Sequence, residues 1–234
     1  MTANPPGAAG LPFRDRRAAG RLLGARLRRR FAGPDGSLAL DRPLVLALPR
    51  GGVPVAREVA ESLGAPLDVL VTRKIGYPHH PELGVGAITE GGDPVYDDAL
   101  LERLGLSRGA LAPVVVRERA ELARRAEVYR SGRPPPEVAG HCAILVDDGL
   151  ATGVTARAAL RALRAAGAAR TVLAVPVGAA ASATALLGEA DDVICLVSPP
   201  SFRAVGEWYA SFAQLTDADV LALLGSWAVG RNVR

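Results

Sequence analysis

Aromatic side chains are scarce: two Trp, four Tyr and four Phe serve 234 residues, and five of the ten fall beyond residue 198. A core built without them has to be aliphatic. Cysteine is scarcer still. Cys142 and Cys195 each sit inside an apolar run that reads as a strand, which argues for buried free thiols over a disulfide or a metal site. No window approaches ~18 uninterrupted apolar residues, so no membrane span is expected. The opening "MTANPPGAAGLPF" lacks an apolar h-region, and the expectation is a soluble cytoplasmic protein without a signal peptide. No strand-like run is followed by G-x-G-x-x-G, which argues against a dinucleotide-binding domain. Internal repeats are also absent.

What is present is aliphatic and basic. The chain is 49% hydrophobic with a net charge of +4, which suits an anionic ligand and by itself also nucleic acid. The arginines of residues 13–31 have no interleaved aromatics and match no RNA motif. They read as the solvated side of an amphipathic helix whose other stripe is Phe13, Leu23, Leu27 and Phe31. Nucleic acid is therefore not an expected partner.

Short continuous apolar runs at 43–49, 66–72, 141–146, 171–178 and 191–197 predict buried strands. Helical stretches at 54–63, 155–167 and around 180 alternate with them, which predicts an α/β fold with a parallel sheet flanked by helices. Residues 84–96 read as a two-stranded element with a Gly-Gly-Asp turn, followed by two helical stretches, the second at about 112–129. His79 and His80 flank prolines in "YPHHPE"; adjacent side chains rarely chelate one ion, and a mobile loop without metal is expected there. Residues 1–12, rich in Pro, Gly and Ala, are expected to be flexible. Residues 13–234 are expected to form a single domain.

The chemistry concentrates in "ILVDDGLATGVT", residues 144–155. An apolar strand ends in two carboxylates, Asp147 and Asp148, and a small-residue loop leads into a helix. Ligands of open α/β sheets bind beyond the carboxyl ends of the strands. A helix start offers free N–H groups and the positive end of a dipole, Thr152 and Thr155 add hydroxyls, and Gly153 allows close backbone approach. That loop suits a phosphate. Two carboxylates beside a phosphate would repel it unless they face hydroxyl donors or developing positive charge, and a ribose 5-phosphate satisfies both halves. On the residues alone two other readings stay open: helix capping, and a Mg2+ site of the kind found at strand ends.

The same stretch resembles the phosphoribosyl-diphosphate (PRPP) motif of the type I phosphoribosyltransferases: four apolar residues, two acids, a short variable step, then Thr-Gly-x-Thr. The resemblance covers most of the chain from about residue 43 and is closest to stand-alone bacterial members of unassigned acceptor. It implies a Rossmann-like parallel sheet, with a core at about 43–197 and a small hood formed by the N-terminal helix and residues 198–234. It implies that Asp147 and Asp148 hold the ribose hydroxyls and that Ala151, Thr152, Gly153, Val154 and Thr155 cradle the 5-phosphate. "ALPRGG" resembles the pyrophosphate loop, giving Arg50, Gly51 and Gly52 that role, with a non-proline cis bond expected between Pro49 and Arg50. "TRKIG" resembles the Arg-Lys pair after the next strand, so Arg73 and Lys74 would meet the diphosphate, with Lys74 catalytic alongside the two acids. Trp208 and Tyr209 fall where the hood covers the acceptor, where stacking on a base and plain core packing are both open.

The reaction that the resemblance implies is transfer of the phosphoribosyl group from PRPP to a nitrogenous acceptor with loss of pyrophosphate. Mg2+ would be held through PRPP, with Asp147 and Asp148 as its nearest protein groups. A homodimer is implied as well. The family's flexible catalytic loop is expected between the 84–96 hairpin and residue 141, with the charged segment 117–130 as its candidate. Ala151 stands where hypoxanthine–guanine enzymes have an Asp, which disfavours a 6-oxopurine acceptor. The alternative from another class is a non-catalytic PRPP or nucleotide sensor on the same fold.

Overall fold

A computed structural model describes residues 13–78 and 80–231; the segment 1–12 expected to be flexible, and His79, lie outside them. In chain order the elements are α1 (Arg16–Arg30), β1 (Pro43–Ala47), α2 (Gly52–Leu63), β2 (Leu67–Val69), β3 (Thr72–Tyr77), β4 (His80–Thr89), β5 (Val95–Tyr96) and α3 (Asp98–Arg103). They continue with α4 (Ala112–Arg130), β6 (Cys142–Val146), α5 (Val154–Ala165), β7 (Arg170–Val177), α6 (Ala180–Ala185), β8 (Asp192–Val197) and α7 (Asp217–Arg231).

Five of the strands form a parallel sheet in the order β2-β1-β6-β7-β8. Helices cover both faces, so its strands read as unbroken apolar runs instead of alternating ones. The pleat divides them. Val45, Ala47, Ile144, Val146, Val172 and Ala174 point to one side with α1 and α2. Leu44, Leu46, Ala143, Leu145, Leu173 and Val175 point to the other, against Ala159, Leu160 and Leu163 of α5. Both cysteines are free, Cys142 buried and Cys195 partly so.

The reversal of order lies between β1 and β6. β1 pairs with β2 on one side and with β6 on the other, so the loops after β1 and β6 open side by side at the carboxyl edge. That is where an open α/β sheet places its ligand.

A second, antiparallel sheet, β3-β4-β5, follows β2 in the chain and packs against α4 and α5. It contains the expected 84–96 hairpin and adds β3 to it. His80 is in β4 rather than in a mobile loop: it is the register partner of Tyr77 and its ring stacks there, centroids 6.1 Å apart. The helix expected at about 112–129 is present as the 19-residue α4, and the flexible-loop candidate 117–130 is the body of that helix. Its charges are met over long sequence distances. Glu118 takes two N–H donors from Arg73, at 2.7 and 2.9 Å, Tyr129 donates to Asp217 at 2.5 Å, and Arg130 pairs with Glu90 and donates to the Val69 carbonyl at 3.1 Å. Burial and the Asp217 carboxylate push the Tyr129 phenol up to about 12.

α1 begins at an Asp15 cap, whose carboxylate accepts the Ala18 N–H at 2.7 Å. Leu23, Leu27 and Phe31 form the buried stripe, as expected. Phe13 does not share it. It lies before the helix and bridges to Tyr209, its N–H donating to the Trp208 carbonyl and its carbonyl accepting the Ala210 N–H, both at 2.7 Å. Gly20 and Gly24 let α1 lie directly on α2; a β-carbon at Gly20 would stand 2.7 Å from the Val55 carbonyl oxygen. This close contact fixes the first turn of α1 near the start of α2.

Candidate active site

Two loops meet at the carboxyl edge. The first follows β1. Its Pro49–Arg50 peptide is cis, as the resemblance implies. The Gly52 N–H is tied to the Leu48 carbonyl at 3.0 Å, whereas the N–H groups of Arg50 and Gly51 find no acceptor among the described residues. The second follows β6 and carries the carboxylates. The two touch with no room to spare: a β-carbon on Gly51 would fall 2.0 Å from Asp148 Oδ2, and one on Gly52 would fall 2.6 Å from the Val146 carbonyl oxygen. Only glycine allows this approach.

Asp147 and Asp148 sit half-buried at the tip of β6. Asp147 Oδ1 accepts the Asp148 N–H at 2.8 Å, and Asp148 Oδ2 accepts Arg16 Nε–H at 2.7 Å. Each carboxylate thus uses one oxygen within the protein, and no other residue described donates to the remaining two. Burial, and then the Asp148 charge beside it, push the Asp147 carboxyl well above the usual carboxylate range. Burial raises Asp148 as well, while the Arg16 guanidinium pulls it back. Two desolvated carboxylates with free oxygens call for donors or a cation.

The loop then runs past Leu150, whose N–H and carbonyl clip it to the end of β7 through Val177 and Ala179, both at 2.9 Å. Ala151 and Thr152 are exposed, and the Ala151 carbonyl accepts the Ser182 hydroxyl at 2.5 Å. Gly153, at φ +77°, turns the chain into α5 with no side-chain cap. Among the described residues nothing accepts the N–H groups of 152–156 or bonds the Thr152 and Thr155 hydroxyls. Free amides and hydroxyls converging at the start of a helix, with the dipole behind them, can hold one phosphate group.

The segment 205–213 closes over these loops. Tyr209 is buried, its hydroxyl donates to the Asp148 carbonyl at 2.5 Å, and its ring packs on Phe212 and Phe13 at 5.0 and 5.5 Å. Trp208 is half-buried in the same cluster, and its buried indole Nε1 has no partner among the described residues. Val205 presses on Gly149, where a β-carbon would meet its two methyls at 2.5 and 2.7 Å. Gly149→Ala should therefore destabilise the fold by about 1–3 kcal/mol through overpacking. Adding Val205→Ala should recover part of this in urea melts, because the remaining contact, to Val205 Cβ, is 3.1 Å. Additive losses in the double variant would show that the two do not meet.

Arg73 and Lys74 lie in β3, on the antiparallel arm. Arg73 faces α4 and is held by Glu118. Lys74 is exposed, with Nζ donating to the Glu82 carbonyl at 2.6 Å. A cleft of about 370 Å3 between the arm and α4 is lined by both, with Tyr77, Arg117 and Glu118.

One residue at the site has no counterpart in the sequence reading. Periodicity places Arg16 among the solvated arginines, yet its side chain is 11% exposed and reaches Asp148. Its place in the first turn, just past an Asp cap, is the only local signal that sets it apart.

Comparison with known proteins bears on this edge. The phosphoribosyl transferase domain family matches residues 27–207. Two Mycobacterium tuberculosis proteins, from strains CDC 1551 and H37Rv and each named "putative phosphoribosyl transferase", are 47% identical over 212 residues, 91% of this chain and 46% of theirs. The chain thus spans about half the length of these curated relatives. The crystal structure of TT1426 from Thermus thermophilus is 42% identical, superposes with a TM-score of 0.76, and is matched over 93% of this chain and 99% of its own.

Proposed function

The chain belongs to the phosphoribosyl transferase family, and from that premise we propose that it transfers the 5-phosphoribosyl group of PRPP to a nitrogen of a small nitrogenous acceptor, releasing pyrophosphate. The observation that carries this reading is the meeting of three unsatisfied groups at one sheet edge: the Arg50 and Gly51 amides, the free oxygens of Asp147 and Asp148, and the open start of α5. Their order matches the charges of the substrate: phosphate, diol, diphosphate.

The 5-phosphate binds residues 151–155, and the ribose diol donates to the two carboxylates. The diphosphate lies toward Arg50, Gly51 and Gly52, with Lys74 and Arg73 on the arm beyond. As the bond from C1 to the diphosphate breaks and the bond to nitrogen forms, positive charge develops on the ribose. Asp147 and Asp148 stand where that charge is stabilised, and binding supplies the alignment. Among the described residues no three His, Cys, Asp or Glu cluster, so the protein's donors fit a divalent cation only together with ligand oxygens. Mg2+ carried by PRPP would fit that set, with Asp147 and Asp148 as the protein groups to meet it, and would supply neutralisation of the leaving diphosphate. Ala151 leaves no carboxylate at the acceptor side of the loop, which favours a base other than a 6-oxopurine.

Pyrophosphate release from PRPP and Mg2+, with adenine, uracil and 6-oxopurines as acceptors, tests the reading; release with a base outside the 6-oxopurines is expected. Thr152→Val should weaken ribose 5-phosphate binding by about 1–3 kcal/mol through a lost hydrogen bond to a charged group. Unchanged affinity in a calorimetric titration would remove the phosphate from this loop. A sensor is the second reading, favoured by one observation: Arg73 and Lys74 are both engaged on the arm, by Glu118 and the Glu82 carbonyl. Tight PRPP binding without pyrophosphate release for any acceptor would select it.

A further inference from the structure

Arg16 reaches Asp148 across 132 residues of sequence. Three contacts hold its guanidinium. Nε donates to Asp148 Oδ2 at 2.7 Å, Nη1 donates to the Ala213 carbonyl at 2.8 Å, and the plane lies over the Phe212 ring at 3.7 Å. The side chains of Arg16 and Asp148 are only 11% and 14% exposed. A desolvated pair of this kind gains little over apolar packing, because desolvation offsets most of the attraction. Stability alone is thus a weak reason for an arginine here, and geometry is a better one.

Asp148 Oδ2 is enclosed on two sides, by Arg16 and by the Gly51 backbone. A carboxylate pinned at one oxygen and flanked by backbone has its rotation restricted, so Oδ1 keeps a preferred direction. The cation that pins it is itself fixed by Phe212 and Ala213, which belong to the segment closing over the site. From this we infer that Arg16 is a positioning residue: it orients Asp148 to accept a ribose hydroxyl and ties that orientation to the closed 205–213 segment. The inference rests on the ribose-binding reading of the carboxylate pair given above.

Lysine would keep the charge but lose the second donor and the flat face that stacks on Phe212. Glutamine would lose the charge. Neither touches the phosphate loop. The effect should therefore appear in recognition of the diol and not in recognition of phosphate.

The test compares two probes by calorimetry: ribose 5-phosphate, and 2,3-dideoxyribose 5-phosphate, which lacks both hydroxyls. The unaltered protein should prefer the first by about 10–100-fold, as hydrogen bonds to charged groups provide. Arg16→Gln should reduce that preference roughly 10-fold and leave affinity for the dideoxy probe within about 2-fold. Arg16→Lys should fall between, and it carries the test if the glutamine variant does not fold. Val205→Ala loosens the same segment at Gly149 without touching a carboxylate; it should weaken both probes equally and leave the preference intact. A full preference in both Arg16 variants overturns the inference while leaving the ribose reading standing. So does an equal loss of preference in Val205→Ala, because a generic loosening would then explain it. An unaltered protein that shows no preference brings down the ribose reading and this inference together.

Discussion

Gly51→Ala should lower PRPP turnover by about 100-fold or more, the penalty attached to displacing a reacting group by roughly 1 Å, and should weaken ribose 5-phosphate binding as well. The new methyl would stand 2.0 Å from Asp148 Oδ2, 2.6 Å from its Cγ and 3.1 Å from Oδ1. A carbon–oxygen contact at van der Waals distance is far longer than the first of these, so one side has to move. Asp148 is held by Arg16 at 2.7 Å and, through its carbonyl, by the Tyr209 hydroxyl at 2.5 Å. The loop after β1 is held by the Gly52 N–H on Leu48 and by α2 packed under α1. Whichever yields, the free amides of Arg50 and Gly51 shift relative to the free carboxylate oxygens. A stability loss of about 1–3 kcal/mol should accompany this, as for other overpacked sites. Gly188→Ala is the matching control, because a β-carbon there meets nothing within 4 Å. Near-normal affinity in Gly51→Ala, with Gly188→Ala equally silent, would show that the contact between the two loops has no part in binding.

Much of this edge is legible in sequence because it is made of local signals. A strand buried on both faces leaves an unbroken apolar run, and "PLVLA" and "CAILV" are such runs. A glycine where two backbones meet leaves itself, as at Gly51 and Gly52. The phosphate loop needs small residues and hydroxyls in immediate succession, so its whole composition is visible at residues 151–155.

The features that escape a sequence reading depend on partners far along the chain. Residues 117–130 read as a charged helical stretch and a candidate for the flexible loop, but Glu118, Tyr129 and Arg130 are buried against Arg73, Asp217 and Glu90, which lie 45, 88 and 40 residues away. A helix whose charged side is neutralised in this way has no clean apolar stripe to read. Arg16 is the same case with a functional end. Helical periodicity assigns it to the polar side, which is correct for Arg26 and Arg29. Only the fold brings Asp148 and Phe212 to that side at the first turn. His80 escapes for a simpler reason: prolines on both sides of a His pair mark a turn, and the turn is so tight that the second His already pairs across from Tyr77.

Asp147→Asn should separate binding from stability by moving them in opposite directions. Burial, reinforced by the neighbouring Asp148 charge, lifts the Asp147 carboxyl well above its ordinary value. A carboxyl raised on folding contributes stability that is fully present below the unfolded pKa and lost as pH rises through the folded one. At neutral pH the protein therefore carries an ionisation penalty at this position. Asparagine resembles the protonated acid in shape and retains an oxygen for the Asp148 N–H, which Asp147 Oδ1 accepts at 2.8 Å. The variant should melt at a higher temperature than the parent near neutral pH, and the two melting curves should converge as the solution is made acid. Ribose 5-phosphate affinity should fall about 10–100-fold, since a charged acceptor for a ribose hydroxyl is lost. A carboxylate that served only to hold the turn after β6 behaves differently: replacing it would lower the melting temperature and leave binding to follow stability. Thermal melts across pH, beside calorimetric titration at one pH, separate the two. A melting temperature that falls together with affinity would give Asp147 a purely structural role in the turn after β6 and remove half of the proposed ribose site.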